Sequence, residues 1–241
     1  MSAYRIIPVG DQALSIEFPN KIDAKVNQRV QLLARKISTA KYSGVRTVIP
    51  AYHTLLVNFD AAVTSFQGLF KELHPVVDQS LSQELPARKT WKLPVCYDEK
   101  FGPDLKDLAQ FAGMSVSDVI KLHTGQTYLI YFLGFLPGFA YMAGVDKKIA
   151  MPRLAKPRIT IPAGSIGIAG SQTGFYPVSS PGGWRLIGQT PLKLYHKEDP
   201  QFFYQPGDYF QFTPISLKSF EEIKKEDLSG DYQVEAVIQD E

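Results

Sequence analysis

Apolar positions recur with two different periods along this 241-residue chain, and the changes of period mark out its elements. Tyr4–Val9 and Ala13–Phe18 read as two short strands joined by a turn at Gly10–Asp11. Asp23 then precedes Val26, Val30, Leu33 and Ile37, a spacing of three to four that predicts an amphipathic helix ending by Gly44. Val45–Ile49 and Thr54–Phe59 form a second expected strand pair, with Pro50 unsuited to a sheet interior. Thr64–His74 places Phe66, Leu69, Phe70 and Leu73 at helical spacing and predicts a second helix. The order β-β-α-β-β-α implies a small α+β layer with helices on one sheet face.

The stretch Asp78–Thr90 is polar, lacks periodicity and contains Pro86, so a domain boundary is expected near residue 86. Trp91–Tyr97 opens a second domain as a strand, followed by helices over Pro103–Ala112 and Val116–His123. Ser115, with Asp118 three residues on, resembles a capping box at the start of the latter. Beyond Tyr128 short apolar runs are divided by Gly and Pro, the pattern of a β-rich barrel or sandwich. From Ser216 the chain is charged, and a short helix with a loose tail is expected. The expected fold class is α+β: a small α+β domain over residues 1–86, then a β-rich barrel or sandwich domain over 87–241 with an acidic C-terminal tail.

The uncharged run Thr124–Val145 is long enough to test as a membrane span. Gly134, Pro137, Gly138 and Gly144 interrupt it, and its aromatic and β-branched residues suit a buried strand leading into a functional loop. No membrane association is therefore expected, and the N-terminus lacks the apolar core of a secretory signal. One cysteine, Cys96, excludes an intramolecular disulfide and a cysteine zinc cluster. With four scattered histidines no metal site is expected, and a reducing, cytoplasmic compartment is the default. The net charge of +2 gives no support to nucleic-acid binding.

That small net charge is an average. Gly134–Pro191 holds 10 of the 18 glycines and 7 of the 17 prolines, with six basic residues against one acidic. From Glu198 onward 11 acidic residues face 3 basic ones. Glycine-rich, positively charged loops let a backbone approach an anionic ligand closely, so the anion site is expected in the first of these windows. Arg158 and Arg185 are its candidate oxyanion-binding residues, because guanidinium forks match carboxylate and phosphate. His123, at a predicted helix end, is either a helix-dipole partner or a proton shuttle. Trp184 beside Arg185 is either a pocket wall or a core anchor. The segment Gly164–Gly174 lacks the ending of a phosphate-binding P-loop; Ile166 and Ile168 suggest a strand ending at Gly170, leaving only backbone N–H groups to offer an anion. No Gly-x-Ser-x-Gly elbow occurs, and Ser165 and Ser171 are read as turn residues.

Three ordered motifs, GFLPGFAYM (Gly134–Met142), PRITIPAGSIGIAGSQTGFYP (Pro157–Pro177) and SPGGWRLIGQTP (Ser180–Pro191), resemble the allophanate hydrolase subunit 1 family. VGDQALSIEF (Val9–Phe18) and PAYHTLLVNFD (Pro50–Asp60) add to the likeness, which runs from about Tyr4 to Phe212. Gln189 departs from it, standing where many relatives are expected to carry Arg. The family includes an inhibitor of sporulation kinase A and the B subunit of the bacterial ATP-dependent 5-oxoprolinase. The resemblance implies that the second domain is a cyclophilin-like barrel without prolyl isomerase activity. It also implies a second cyclophilin-like subunit and, in the 5-oxoprolinase, a third subunit as partners.

On this resemblance the expected activity is that of a hydrolase subunit: ATP-dependent opening of 5-oxo-L-proline to L-glutamate, with ATP bound somewhere in the complex. Arg158, Arg185 and His123 are the expected catalytic residues. Phe135, Pro137, Gly138, Phe139, Tyr141, Pro162, Gly164, Gln172, Thr173, Pro181, Gly183 and Trp184 are the expected substrate or partner pocket. A second expectation is inhibition of a sporulation histidine kinase through the apolar loop Phe135–Tyr141. A urea carboxylase or allophanate hydrolase-type subunit is a third, and a scaffold without a site of its own a fourth.

Overall fold

The computed structural model describes residues 3–81 and 88–239. The chain divides into two compact units, Met1–Pro86 and Ala87–Glu241; the boundary expected near Pro86 lies outside the described residues.

In the first unit β1 (Arg5–Pro8), β2 (Ala13–Glu17), β3 (Val45–Pro50) and β4 (Thr54–Phe59) form an antiparallel sheet of order β1-β2-β4-β3. Leu14, Ile16, Leu55, Val57 and Phe59 alternate onto one face and share a core with α1 (Ala24–Ala40) and α2 (Phe66–Leu81). The Asp23 carboxylate accepts from Val26 N–H at 3.1 Å and caps α1. Two boundaries differ from the sequence reading. α1 stops at Ala40 with Lys41 left-handed, so Gly44 belongs to the turn into β3. α2 runs through Pro75 to Leu81 rather than ending at His74. The buried stripe Leu69, Leu73, Val77 continues past the proline, and its burial outweighs the roughly 3 kcal/mol that an interior proline costs.

The second unit is built on β5 (Arg88–Cys96), followed by α3 (Leu105–Ala112), α4 (Val116–Thr124), β6 (Tyr128–Leu133) and β7 (Ala140–Ala143). After a 3₁₀ turn at Lys147–Ile149 come β8 (Arg158–Ile161), β9 (Ser165–Ala169), β10 (Gln172–Phe175), β11 (Ser180–Gly182) and β12 (Arg185–Gln189). The unit ends with β13 (Tyr209–Ile215), α5 (Leu217–Ser229) and β14 (Ala236–Gln239). Strands β12-β9-β10-β7-β6-β13-β5 run in that order and close where Gln189 pairs with Cys96, giving a seven-stranded barrel. The fold is thus α+β with a barrel. Ile130, Met142, Ile166, Ile168, Phe175, Ile187, Phe210 and Phe212 fill its interior. Strands β8 and β11 pair only with each other, as a separate two-stranded ribbon.

Strand β5 serves three partners: β13 in parallel from Thr90 to Cys96, β14 at Arg88–Trp91 and β12 at Cys96. Pro94 fits there because Lys92 N–H points to the β14 side, where it donates to Glu235 O. Two residues on, Pro94 faces the gap beyond β14, where no ladder needs a donor. The C-terminal tail is accordingly not loose as expected: Ala236–Gln239 completes the sheet, and Tyr232 and Val234 pack on the barrel core. Ser115 accepts from Asp118 N–H at 3.1 Å, so α4 starts where the capping pattern placed it. Thr124–Val145 becomes the end of α4, β6, a tight turn and β7. Among the described residues no helix is long and apolar enough to cross a membrane.

Candidate functional site

Alternation along the barrel strands sorts the motif residues onto two faces. Phe175 and Thr173 of β10 point inward while Gly174 and the following Tyr176 face outward, and on β7 Met142 is internal whereas Tyr141 is external. The outward residues of β7, β9, β10 and β12 form a separate cluster of Phe139, Tyr176, Trp184, Leu186 and Ala169, with Ile161 of the ribbon and Tyr141 packed against it. Phe139 meets Tyr176 and Trp184 edge-on at 5.3 Å each and Tyr141 at 4.8 Å between centroids. A Cβ on Gly174 would lie 2.7 Å from Ala140 O and 3.2 Å from the Trp184 ring, so glycine here makes room for the indole.

Cationic groups edge this aromatic cluster. The Arg153 guanidinium lies 5.9 Å from the Trp184 ring centroid, in cation–π geometry. Arg158, at the start of β8, donates from Nη2 to Asp104 Oδ1 at 2.7 Å. Burial raises the Tyr176 phenol above its ordinary value, against the Trp184 backbone N–H and the charges of Arg153 and Arg158. The Tyr141 phenol is raised likewise by burial, with Arg153 opposing. The Phe139, Tyr176 and Trp184 rings are themselves buried, so the half-buried Tyr141 and the Arg153 guanidinium at the edge of the cluster are what it offers to an oxyanion. Arg185 is turned differently: Nε donates to Pro152 O at 3.3 Å and Nη1 lies 3.9 Å from Asp107 Oδ2.

Asp104 occupies the N-cap position of α3 yet makes no cap hydrogen bond with its side chain. Its carboxylate reaches the barrel instead, where Oδ2 accepts from Leu186 N–H at 2.6 Å while Oδ1 takes Arg158. The Asp104 backbone N–H donates in turn to Leu186 O at 3.0 Å. Asp104 is only 4% exposed. Arg158 Nη1 is buried and finds no hydrogen-bond partner among the described residues.

The structure revises the role expected for His123. Its side chain is fully buried inside the barrel, with Nδ1 2.8 Å from the Tyr97 hydroxyl and Nε2 3.0 Å from Thr173 Oγ1. Thr173 donates its own proton to Gly167 O at 3.0 Å, so it accepts from His123 Nε2–H, and Nδ1 accepts from Tyr97. The ring stacks on Phe212 at 4.5 Å, and desolvation lowers its pKa to about 3. A neutral imidazole with both nitrogens engaged on buried partners holds its proton rather than relays it. Thr173 belongs to this interior network and leaves the ligand-facing set with it.

Other expected positions spread out. Phe135 is 65% exposed and left-handed at φ 67°, and meets Phe139 edge-on at 5.7 Å from the rim. Pro137 is exposed, whereas Gly138 is buried at φ 75°, where a Cβ would run into the Phe202 ring. Gly164 is buried and its N–H donates to Tyr176 O, while Pro162 and Pro181 lie exposed on the ribbon and its turn. Gln172 pairs with Ala143 and Ala169 in the barrel ladder. Gly183 O accepts from Leu154 N–H, tying the residue before Trp184 to the loop that carries Arg153. Gln189 donates to Ala163 O at 2.6 Å and lines a cleft of about 450 Å³ beside α5, away from the aromatic cluster. Tyr176, Arg153 and Asp104 were missed from sequence. The alternation in QTGFY marks Tyr176 as outward, but Asp104 reads as an ordinary helix cap. Among the described residues no cluster of His, Cys, Asp or Glu is placed to hold a metal ion.

The carboxyltransferase domain, subdomains C and D, matches residues 4–204. The B subunit of the 5-oxoprolinase of Bacillus subtilis (strain 168) is 38% identical over 234 residues, covering 92% of this chain and 98% of that one. The crystal structure of a conserved uncharacterized protein from Pyrococcus horikoshii is 42% identical, with a TM-score of 0.53 over 90% of this chain and 100% of that one. The Kluyveromyces lactis urea carboxylase structure superposes with a TM-score of 0.79 over 98% of this chain and 24% of that one; at 18% identity it speaks for the fold alone. The family match over most of the chain and the identity to three B subunits agree, and the chain belongs to the carboxyltransferase subdomain C and D family that contains the B subunits of bacterial 5-oxoprolinases.

Proposed function

We propose that this chain is the B subunit of a heteromeric, ATP-dependent 5-oxoprolinase of the cytoplasm that opens 5-oxo-L-proline to L-glutamate. It does so only with a second subunit of related fold and a third subunit. The similarity to the B subunits of 5-oxoprolinases along nearly the whole chain supports the assignment. The structural observation that carries it is the edge of the outer-face cluster: Phe139 and Trp184 are buried within it, and the half-buried Tyr141 and the exposed Arg153 guanidinium beside them suit a small ligand bearing a carboxylate.

An amide is a poor electrophile, and ATP supplies the leaving group when it phosphorylates the lactam oxygen. Among the described residues no phosphate cradle supports a local ATP site. Gly164–Gly174 is the β9–β10 hairpin, and its central backbone is committed to barrel pairing. ATP is therefore assigned to the assembled complex. Arg158 and Arg153 hold the substrate's negative charge in place, and the half-buried Tyr141 offers a phenolic donor to the lactam oxygen. Purified together with both partners, the chain is expected to support ATP-dependent glutamate formation, with no turnover by the chain alone. Glutamate formation that survives omission of this chain overturns the proposal.

A second reading, docking on a sporulation histidine kinase, draws on the exposure of Phe135 and Pro137 at the turn between β6 and β7. Kinase autophosphorylation unchanged by excess chain removes it. A urea carboxylase or allophanate hydrolase-type role draws on fold likeness alone.

A further inference from the structure

We infer that Asp104 is a positioning residue that presents the free half of the Arg158 guanidinium to a carboxylate or phosphoryl oxygen of the substrate. The inference rests on the proposed reading that Arg158 meets the substrate. An arginine–carboxylate pair that serves stability alone is usually bidentate, two parallel N–H···O bonds satisfying both groups. Here only one of those two bonds forms. Asp104 Oδ2 accepts from Leu186 N–H, and the return bond from Asp104 N–H to Leu186 O fixes the carboxylate against β12. Held in that direction, the carboxylate meets Arg158 through Oδ1 and Nη2 alone. Nη1 is left buried without a partner among the described residues, a cost that a purely structural pair avoids.

Where that free nitrogen lies gives it a use. Arg158 pairs with Gly182 across the β8–β11 ribbon, and a Cβ on Gly182 would come within 2.5 Å of the Tyr176 hydroxyl. The backbone that carries the fork therefore borders the aromatic cluster at Tyr176. The ribbon pairs at Ser180–Ile161 and Gly182–Arg158 with a register shift between them, an irregularity next to the residue that carries the fork. Asp104 contributes no atom to the substrate; it fixes the direction of the guanidinium that does.

The test uses the complete complex with chains carrying Asp104→Asn, Arg158→Gln and both. Each single variant is expected to raise the KM for 5-oxo-L-proline by about ten-fold or more with a smaller change in kcat. The double variant is expected to be no worse than Arg158→Gln, because Asp104 acts only through Arg158. Normal KM with Asp104→Asn beside an impaired Arg158→Gln, or effects that multiply in the double variant, overturns the inference and leaves the role of Arg158 standing. An unaltered KM with Arg158→Gln instead overturns the substrate site itself. Should Asp104→Asn fail to fold, Arg158→Gly provides a second route: millimolar free guanidinium restores activity when Asp104 is present to hold it. Failure of rescue in a folded Arg158→Gly chain counts against Asp104.

Discussion

Acid should weaken the barrel unit through His123, and the size of the effect follows from its burial. In the folded chain its pKa is lowered to about 3, against 6.5 for an exposed histidine. Below pH 6.5 the unfolded chain binds a proton at this position that the folded chain refuses, so unfolding gains free energy as pH falls. Proton linkage gives a loss of about 1 kcal/mol at pH 5.5 and about 3 kcal/mol at pH 4.5, flattening only near pH 3. Other groups, including the lowered carboxyls of Asp23 and Asp118, also cost stability in acid, so a control is needed. His123→Gln supplies it: an amide can accept from Tyr97 and donate to Thr173 without titrating. Trp91 and Trp184, the two tryptophans, both lie in the Ala87–Glu241 unit, so fluorescence-monitored urea unfolding reports that unit alone. His123→Gln is expected to be less stable at pH 7, and the gap to the parent chain to narrow by about 2–3 kcal/mol by pH 4.5. Parallel stability profiles from pH 7 to 4.5 would refute the buried, neutral imidazole.

Two further outcomes test the packing. Gly174→Ala places a Cβ against Ala140 O and the Trp184 ring, and is expected to destabilise the barrel by about 1–3 kcal/mol and to shift Trp184 emission, read by chemical denaturation and fluorescence spectra. Truncation after Gly230 removes β14 and the packing of Tyr232 and Val234, and is expected to cost about 2 kcal/mol or more. An unchanged melting temperature in the truncated chain would show that the C-terminal strand is dispensable.

The elements whose periodicity and caps agree were legible from sequence, and the exceptions share a cause. α1 begins at Asp23 and α4 at Ser115, where a local side chain closes a local backbone donor. α2 passes Pro75 and the tail becomes β14 because distant partners decide: a sheet face in one instance, the open edge of β5 in the other. The candidate site divides the same way. Trp184, Tyr141 and Arg158 stood out by residue type within glycine-rich motifs, and the structure brings them to one face. His123 and Thr173 were equally conspicuous but meet inside the barrel: Thr173 is turned there by a single step of strand alternation on β10, and His123 reaches it from the last turn of α4. Asp104 could not be read because its partners lie 54 and 82 positions away.

Strand β5 also sets an order on synthesis. The first unit has all its elements by Leu81 and can fold as it leaves the ribosome. β5 comes next, but its parallel partner β13 begins at Tyr209, about 120 residues later. At elongation rates of about 5–20 residues per second that interval lasts about 6 to 24 s. Throughout it, an apolar strand that must finally pair along both edges has no barrel to enter. The nascent second unit is thus exposed to mispairing until its last strands emerge, and the chaperone demand of this chain falls on its C-terminal two-thirds.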